Sequence, residues 1–201
     1  MAFIRFSLAA AVFMMAISCS KNNVPLTETP GSPATIAESF SYPIGKKEQI
    51  TQARDSDGWY NALDFGEDNH LGEDWNKNTG GDTDCGEPVY AIANGFITYA
   101  GDAGPGWGNV IIVTHTMPEG TRIQSLYGHL QEILKSSGEV NKSEQIGKVG
   151  NANGKYLCHL HLELRDESCP SWDAVFVGYS PIRYGWLDPS DFIDIRRKHD
   201  R

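Results

Sequence analysis

The run His159-Leu160-His161-Leu162-Glu163-Leu164-Arg165 limits what this chain can fold into more than any other stretch. Successive side chains of a strand point to opposite faces. Read as a strand, the run puts Leu160, Leu162 and Leu164 on one face and His159, His161 and Glu163 on the other. The leucine face demands a core. The opposite face carries two imidazoles side by side, which suits a metal or a metal-bound water. Alone, the pair fits a solvated strand face just as well.

The neighbouring pattern is also that of strands. Pro88 to Ala93 is a short apolar run closed by Asn94-Gly95, a strong turn signal. Phe96 to Ala100 continues as the next strand. Asn109 to Thr114 is β-branched and bounded by glycine, as a buried strand would be. Arg122 to Leu130 alternates, with Ile123, Ser125, Tyr127 and His129 on one side. Helical turns are expected only near Gln131 to Ser136 and Pro189 to Ile193. The 21 glycines fit many tight connections. The expected class is all-β, mainly antiparallel, with long loops. A formal net charge of -9 argues against nucleic acid, which calls for a basic stripe.

The first residues read as an export signal. Arg5 supplies a positive start, and Phe6 to Ile17 is apolar except for Ser7. This run is shorter than the ~20 residues a spanning helix needs but suits a signal peptide. Ala16-Ile17-Ser18-Cys19 then resembles the bacterial lipobox, with Ala16 where leucine is usual. Residues 1–18 are therefore expected to be removed, leaving Cys19 as a lipid anchor to a membrane of the cell envelope. Residues 19–40 carry Pro25, Pro30, Gly31 and Pro33 and read as a flexible tether. A single domain would occupy 41–201.

Chemistry gathers at three places. His70-Leu71-Gly72-Glu73-Asp74 puts a histidine and a carboxylate four apart, in a stretch where Gly72 and Asn69 favour a loop leading into a strand. Tyr127-Gly128-His129-Leu130 ends a strand. His159-Leu160-His161 opens another. A zinc hydrolase takes three protein ligands and keeps one position for water, and two histidines with one carboxylate fit that pattern.

In this order the motifs resemble the M23 zinc metallopeptidases, the lysostaphin and LytM-type endopeptidases of peptidoglycan, with their HxxxD, YxHL and HxH. The phrases Gly86 to Gly95, Gly106-Trp107-Gly108-Asn109-Val110 and Ile146-Gly147-Lys148-Val149-Gly150 are similar too. The likeness runs from Asn69 to Arg165. It implies one Zn2+ held by His70, Asp74 and His161, with His129 and His159 as general base and electrostatic stabiliser. It also implies a curved antiparallel sheet whose groove holds the metal, and a peptidoglycan peptide as substrate, cut at its cross-links. Leu157-Cys158 stands where many members have Gly-Pro before HLH. Members that have lost metal ligands act as regulators of other wall hydrolases, but no ligand is missing here. A zinc peptidase acting on non-wall peptides is the other alternative.

Strand parity turns Cys158 away from His159 and His161. With Cys19 lipidated, Cys85, Cys158 and Cys169 leave one disulfide, either Cys158–Cys169 or Cys85–Cys158. His115, at the end of a valine-rich strand, is expected to be exposed, as is His199 in the charged tail. Glu163 could orient an imidazole or form a salt bridge. Trp59, Trp75, Trp107 and Trp172 could line a groove or pack in the core.

Overall fold

The computed structural model describes residues 35–45, 58–172 and 174–197. The expected export segment, the Cys19 anchor, most of the expected tether and His199 lie outside these residues. In chain order the strands are β1 (Trp59–Leu63), β2 (Glu73–Lys77), β3 (Pro88–Tyr90), β4 (Gly95–Asp102), β5 (Asn109–Thr116), β6 (Arg122–Leu130), β7 (Glu132–Ile133), β8 (Gly138–Val140), β9 (Gln145–Lys148), β10 (Leu160–Asp166) and β11 (Trp186–Leu187). One α-helix, α1 (Pro189–Arg196), follows. The main sheet runs β1-β2-β10-β6-β5-β4-β8, and β11 also pairs with β10; β3-β9-β7 form a second, three-stranded sheet. All strand pairs are antiparallel, as the sequence pattern predicts. No helix among the described residues is long and apolar enough to cross a membrane.

The period-two reading of β10 holds. Leu160, Leu162 and Leu164 are fully buried in the main core with Tyr127, Ile111, Val113, Ile97 and Trp75. Each such side chain contributes roughly 1.5–3 kcal/mol by leaving water. The other face of the sheet is covered in part: Val110, Ile112 and Leu126 pack under Trp107, Ala174 and Phe176. The remainder of that face is where the histidines stand.

Three expectations change. The turn expected as helical at Gln131 to Ser136 instead contains β7, which pairs with β9 at Glu132–Lys148 and Ile133–Gly147. The final residues assigned to the tether belong to the domain: Ala37 and Phe40 are buried in the core, and Ile36 bridges Thr116. Apolar side chains spaced along 36–44 supply that packing, which the prolines upstream obscure. His115 is not exposed. Its Nδ1 lies 2.8 Å from the Asn94 carbonyl, its Nε2 lies 2.8 Å from Ser125 Oγ, and Phe40 packs edge-on against it.

The Pro189 to Ile193 expectation holds, extended to Arg196. Asp188 caps α1, accepting from Asp191 N at 3.0 Å, and Pro189 opens the first turn. Buried Glu73 ties this helix to β2 by accepting from Ser190 Oγ (2.8 Å) and Trp75 Nε1 (3.0 Å). Burial nevertheless raises its carboxyl to about 7. Of the two disulfides open from the sequence, the structure contains Cys85–Cys158 (Cα–Cα 5.2 Å), and Cys169 is a free, buried thiol.

Candidate metal centre

The pairing of β2 with β10 builds the site. Its register sets Asp74 opposite His161, so a carboxylate and an imidazole from distant parts of the chain become cross-strand neighbours. His70 reaches them from the loop before β2, after the short turn Glu67–Asn69. That loop lies hard against β10. A Cβ on Gly72 would fall 2.4 Å from the Leu162 carbonyl oxygen and 3.0 Å from His161 Cε1, so only glycine allows this approach.

Three donor atoms converge. His161 Nδ1 stands 2.9 Å from Asp74 Oδ1 and 3.0 Å from His70 Nε2, and His70 Nε2 stands 3.4 Å from the same oxygen. Ligand atoms 2.0–2.1 Å from a tetrahedral ion stand about 3.3 Å apart, close to this triangle. The other edge of His161 settles its tautomer. Nε2 faces Glu163 Oε1 at 3.1 Å and can only donate there, which leaves Nδ1 as a lone pair toward His70 and Asp74. Two imidazole nitrogens and a carboxylate oxygen this close are held together by a shared proton or by a cation between them. The donor set therefore fits a zinc-type ion.

Without an ion, a proton fills that role. Burial pulls His161 down, but its bonds to Asp74 and Glu163 outweigh burial and hold it at about 9. Asp74 and Glu163 respond in kind. Burial would raise both, yet the histidines hold Asp74 at about 2, while Arg165 and His161 hold Glu163 at about 2. Burial and the charge on His161 lower His70.

His129 reaches the site by breaking the strand alternation. Parity would place it beside Tyr127, whose hydroxyl points into the core and accepts from Ile92 N at 2.9 Å. Instead its φ is 63°, an uncommon value for a side-chain-bearing residue and a form of strain that gathers at functional sites. The ring consequently sits 4.7 Å from that of His159 and 5.4 Å from that of His161, centre to centre. The Trp107 carbonyl holds its Nδ1–H (3.2 Å), and the Leu157 carbonyl holds that of His159 (2.8 Å). Both rings are thus anchored to a backbone carbonyl through Nδ1. His159 Nε2 lies 3.7 Å from Asp74 Oδ2. Burial and the neighbouring histidine charges lower His129 to about 3.

All five residues singled out from the sequence thus meet in one place. Asp74, His129, His159 and His161 line a cavity of about 250 Å³, together with Trp107, Tyr156, Val177, Gly178 and Tyr179; His70 lies buried beneath. Of the tryptophans, Trp107 lines the groove, while Trp59 and Trp75 are core. Glu163 plays both roles that the sequence left open. It holds His161 and is itself gripped by Arg165 Nη2 (2.6 Å) and Trp186 Nε1 (3.0 Å). Arg165 shares the His161 face by parity and could have been found that way. Tyr156 and Tyr179 lie outside every motif and carry no such signal.

Comparison with known proteins gives the family to which this antiparallel sheet and its His/His/Asp cluster belong. The model of peptidase family M23 matches residues 69–172, just over half of the chain. The chain belongs to that family. It is 36% identical over 98 residues to the DD-carboxypeptidase/endopeptidase Mpg of Neisseria meningitidis, a match covering 48% of this chain and 22% of that protein. It is 36% identical over 81 residues to lipoprotein NlpD of Yersinia enterocolitica, covering 40% and 78%. The match therefore spans about a fifth of the length of Mpg. A chain of the SpoIIQ–SpoIIIAH pore forming complex shares the fold, with a TM-score of 0.55 at 20% identity over 80% of this chain and 94% of that one.

Proposed function

We propose that this protein is a zinc metalloendopeptidase that hydrolyses peptide cross-links of bacterial peptidoglycan. One observation carries the reading: the donor triangle is complete, and two further histidines, each anchored to a backbone carbonyl through Nδ1, line the same cavity. His70, Asp74 and His161 would hold the ion. Bound there, zinc would supply an acidified water and polarise the scissile carbonyl.

The chain's own groups do the rest. His159, close to Asp74 Oδ2, and His129, beside it, are placed to take a proton from the attacking water and return one to the leaving amine. The histidine that is not the base would stabilise the tetrahedral oxyanion as an imidazolium, with a proton on Nε2 as well as on Nδ1. Glu163 keeps His161 Nδ1 free of its proton, and the Trp107 and Leu157 carbonyls fix the two catalytic rings.

The family, and Mpg's description as a carboxypeptidase/endopeptidase, support peptide hydrolysis. Matches to lipoproteins such as NlpD support the envelope location and lipid anchor at Cys19 expected from the sequence. A purely regulatory role is disfavoured, because no donor has been lost. The test is digestion of purified sacculi by the zinc-loaded protein, with and without chelator, followed by mass spectrometry of released muropeptides. Chelator-sensitive release of split cross-links is expected. No release by fully metal-loaded protein would reject the wall-endopeptidase reading and leave a regulator or a peptidase of non-wall peptides.

A further inference from the structure

His159 and His161 are held in place by different means. His161 lies within β10, laddered to β2 on one side and to β6 on the other. His159 stands one residue before β10 and bridges Gly150 in the preceding loop. The chain reaches it through Asn153 to Leu157, all of them exposed. Cys158, only 1% exposed, is the first buried residue on this approach.

The end of β2 and the loop after it grip Cys158 from three directions. Asp82 Oδ1 accepts from its backbone N–H at 2.8 Å. Asn76 Nδ2 donates to its carbonyl at 3.1 Å, and Asp84 Oδ2 holds the same amide group at 3.3 Å. Cys85 takes its side chain in the disulfide. The loop is itself fastened: Gly86 N donates to Val149 O (2.9 Å) and Val149 N to Glu87 O (2.8 Å), while Lys77 pairs with Glu87 at 2.7 Å. The N–H that Asp82 holds and the carbonyl that binds His159 Nδ1 (2.8 Å) belong to one peptide group, Leu157–Cys158. That group is planar, so fixing its N–H fixes the direction of its carbonyl. The grip on Cys158 therefore reaches the His159 ring.

We infer that the Cys85–Cys158 disulfide and Asp82 are positioning groups for His159: they fix the peptide that holds its ring, so that breaking the disulfide lowers kcat without releasing zinc. The inference rests on the peptidase reading and deepens it. His161 and Asp74 keep their places through the β2–β10 register, and His70 through its own loop, so the donor triangle does not depend on this peptide. His159 does. A proton-transferring ring displaced by about 1 Å can lose on the order of a hundredfold in rate.

The test uses the full chain, zinc-loaded, either oxidised or treated with a water-soluble phosphine. The phosphine splits the S–S bond into two thiols and becomes its oxide, with the oxygen and both protons coming from water; Cys169 is already a free thiol. On cross-linked wall peptides kcat should fall roughly 10- to 100-fold, with KM and bound zinc little changed. Cys85→Ser combined with Cys158→Ser should match the reduced protein. Asp82→Ala, a change at an exposed residue that leaves the disulfide intact, should lower kcat by less. Asp82→Asn, whose amide oxygen can still accept from Cys158 N–H, should recover most of that loss. Ring placement is read without turnover from NMR cross-relaxation between the rings of His129 and His159, whose centres lie 4.7 Å apart, and the signal should weaken on reduction. No turnover by any form would reject the peptidase reading and leave the ring signal to decide the inference. A ring signal that survives reduction, a kcat that does not change, or a kcat that falls only as zinc is lost would overturn it.

Discussion

His115 and His161 are both buried, both on central strands, and both engaged at each ring nitrogen, yet they are opposite kinds of site. His115 faces a carbonyl and a hydroxyl. Burial prevails, and its pKa falls to about 4. His161 feels the same burial but has a carboxylate at each edge, Asp74 and Glu163, and its pKa stands at about 9. The imidazole does not make the site. Its partners decide whether a buried ring is a neutral strut or one wall of a cation's nest.

The harshest way to break the comparison is Asp74→Ala, which takes from His161 one of the two carboxylates that distinguish it from His115. One of three proposed ligands goes. Zinc measured on the purified variant should fall well below one per chain, and activity should drop by more than about a hundredfold, beyond the 10–100-fold typical of losing a supporting group. Full zinc stoichiometry in this variant would sink the ligand assignment. His129→Ala cuts elsewhere. It leaves the donor triangle whole, so zinc content should be unchanged while kcat falls by about 10²–10⁴, the usual worth of a general acid or base. Zinc loss here would make His129 a ligand.

Glu163→Gln is gentler. The amide keeps the size and can still accept from His161 Nε2, but loses the charge that pairs with buried Arg165. Zinc affinity by competition with a chelator should weaken about 10–100-fold. An unchanged affinity would mean that Asp74 alone separates His161 from His115.

The same contrast explains how much could be read from the sequence. Alternation in β10 predicted both the leucine core and the histidine face, because a strand's period is a local property. The motifs put His70, Asp74, His129, His159 and His161 in one set before any fold was visible. His115 was misjudged because its burial depends on Phe40, in a segment 75 residues earlier that read as tether. The position of His129 was not legible either. Parity puts it in the core, and only the left-handed backbone at that residue brings it round. The segment that carries Tyr179 follows the last motif, and nothing local announces that it returns to the His70 loop. What escapes the sequence is long-range packing and backbone strain.

The last prediction concerns the strut. In the folded chain His115 has a pKa near 4, against 6.5 for a free imidazole, so between those values the unfolded chain binds more protons. Its contribution to stability is therefore complete above about pH 6.5 and is lost as pH falls toward 4. It amounts to about 3 kcal/mol at about 1.4 per pH unit. His115→Gln removes this titration while leaving the metal site alone. Urea denaturation of chelator-treated wild type and variant, from pH 7.5 to 4.5, separates the effect from metal release and from other titrating groups such as Glu73. The variant should be the less stable at pH 7.5, since it leaves buried groups poorly matched. The gap should narrow as the medium becomes acidic. A constant gap would mean that His115 is not held neutral, and that the two buried histidines differ less than their partners suggest.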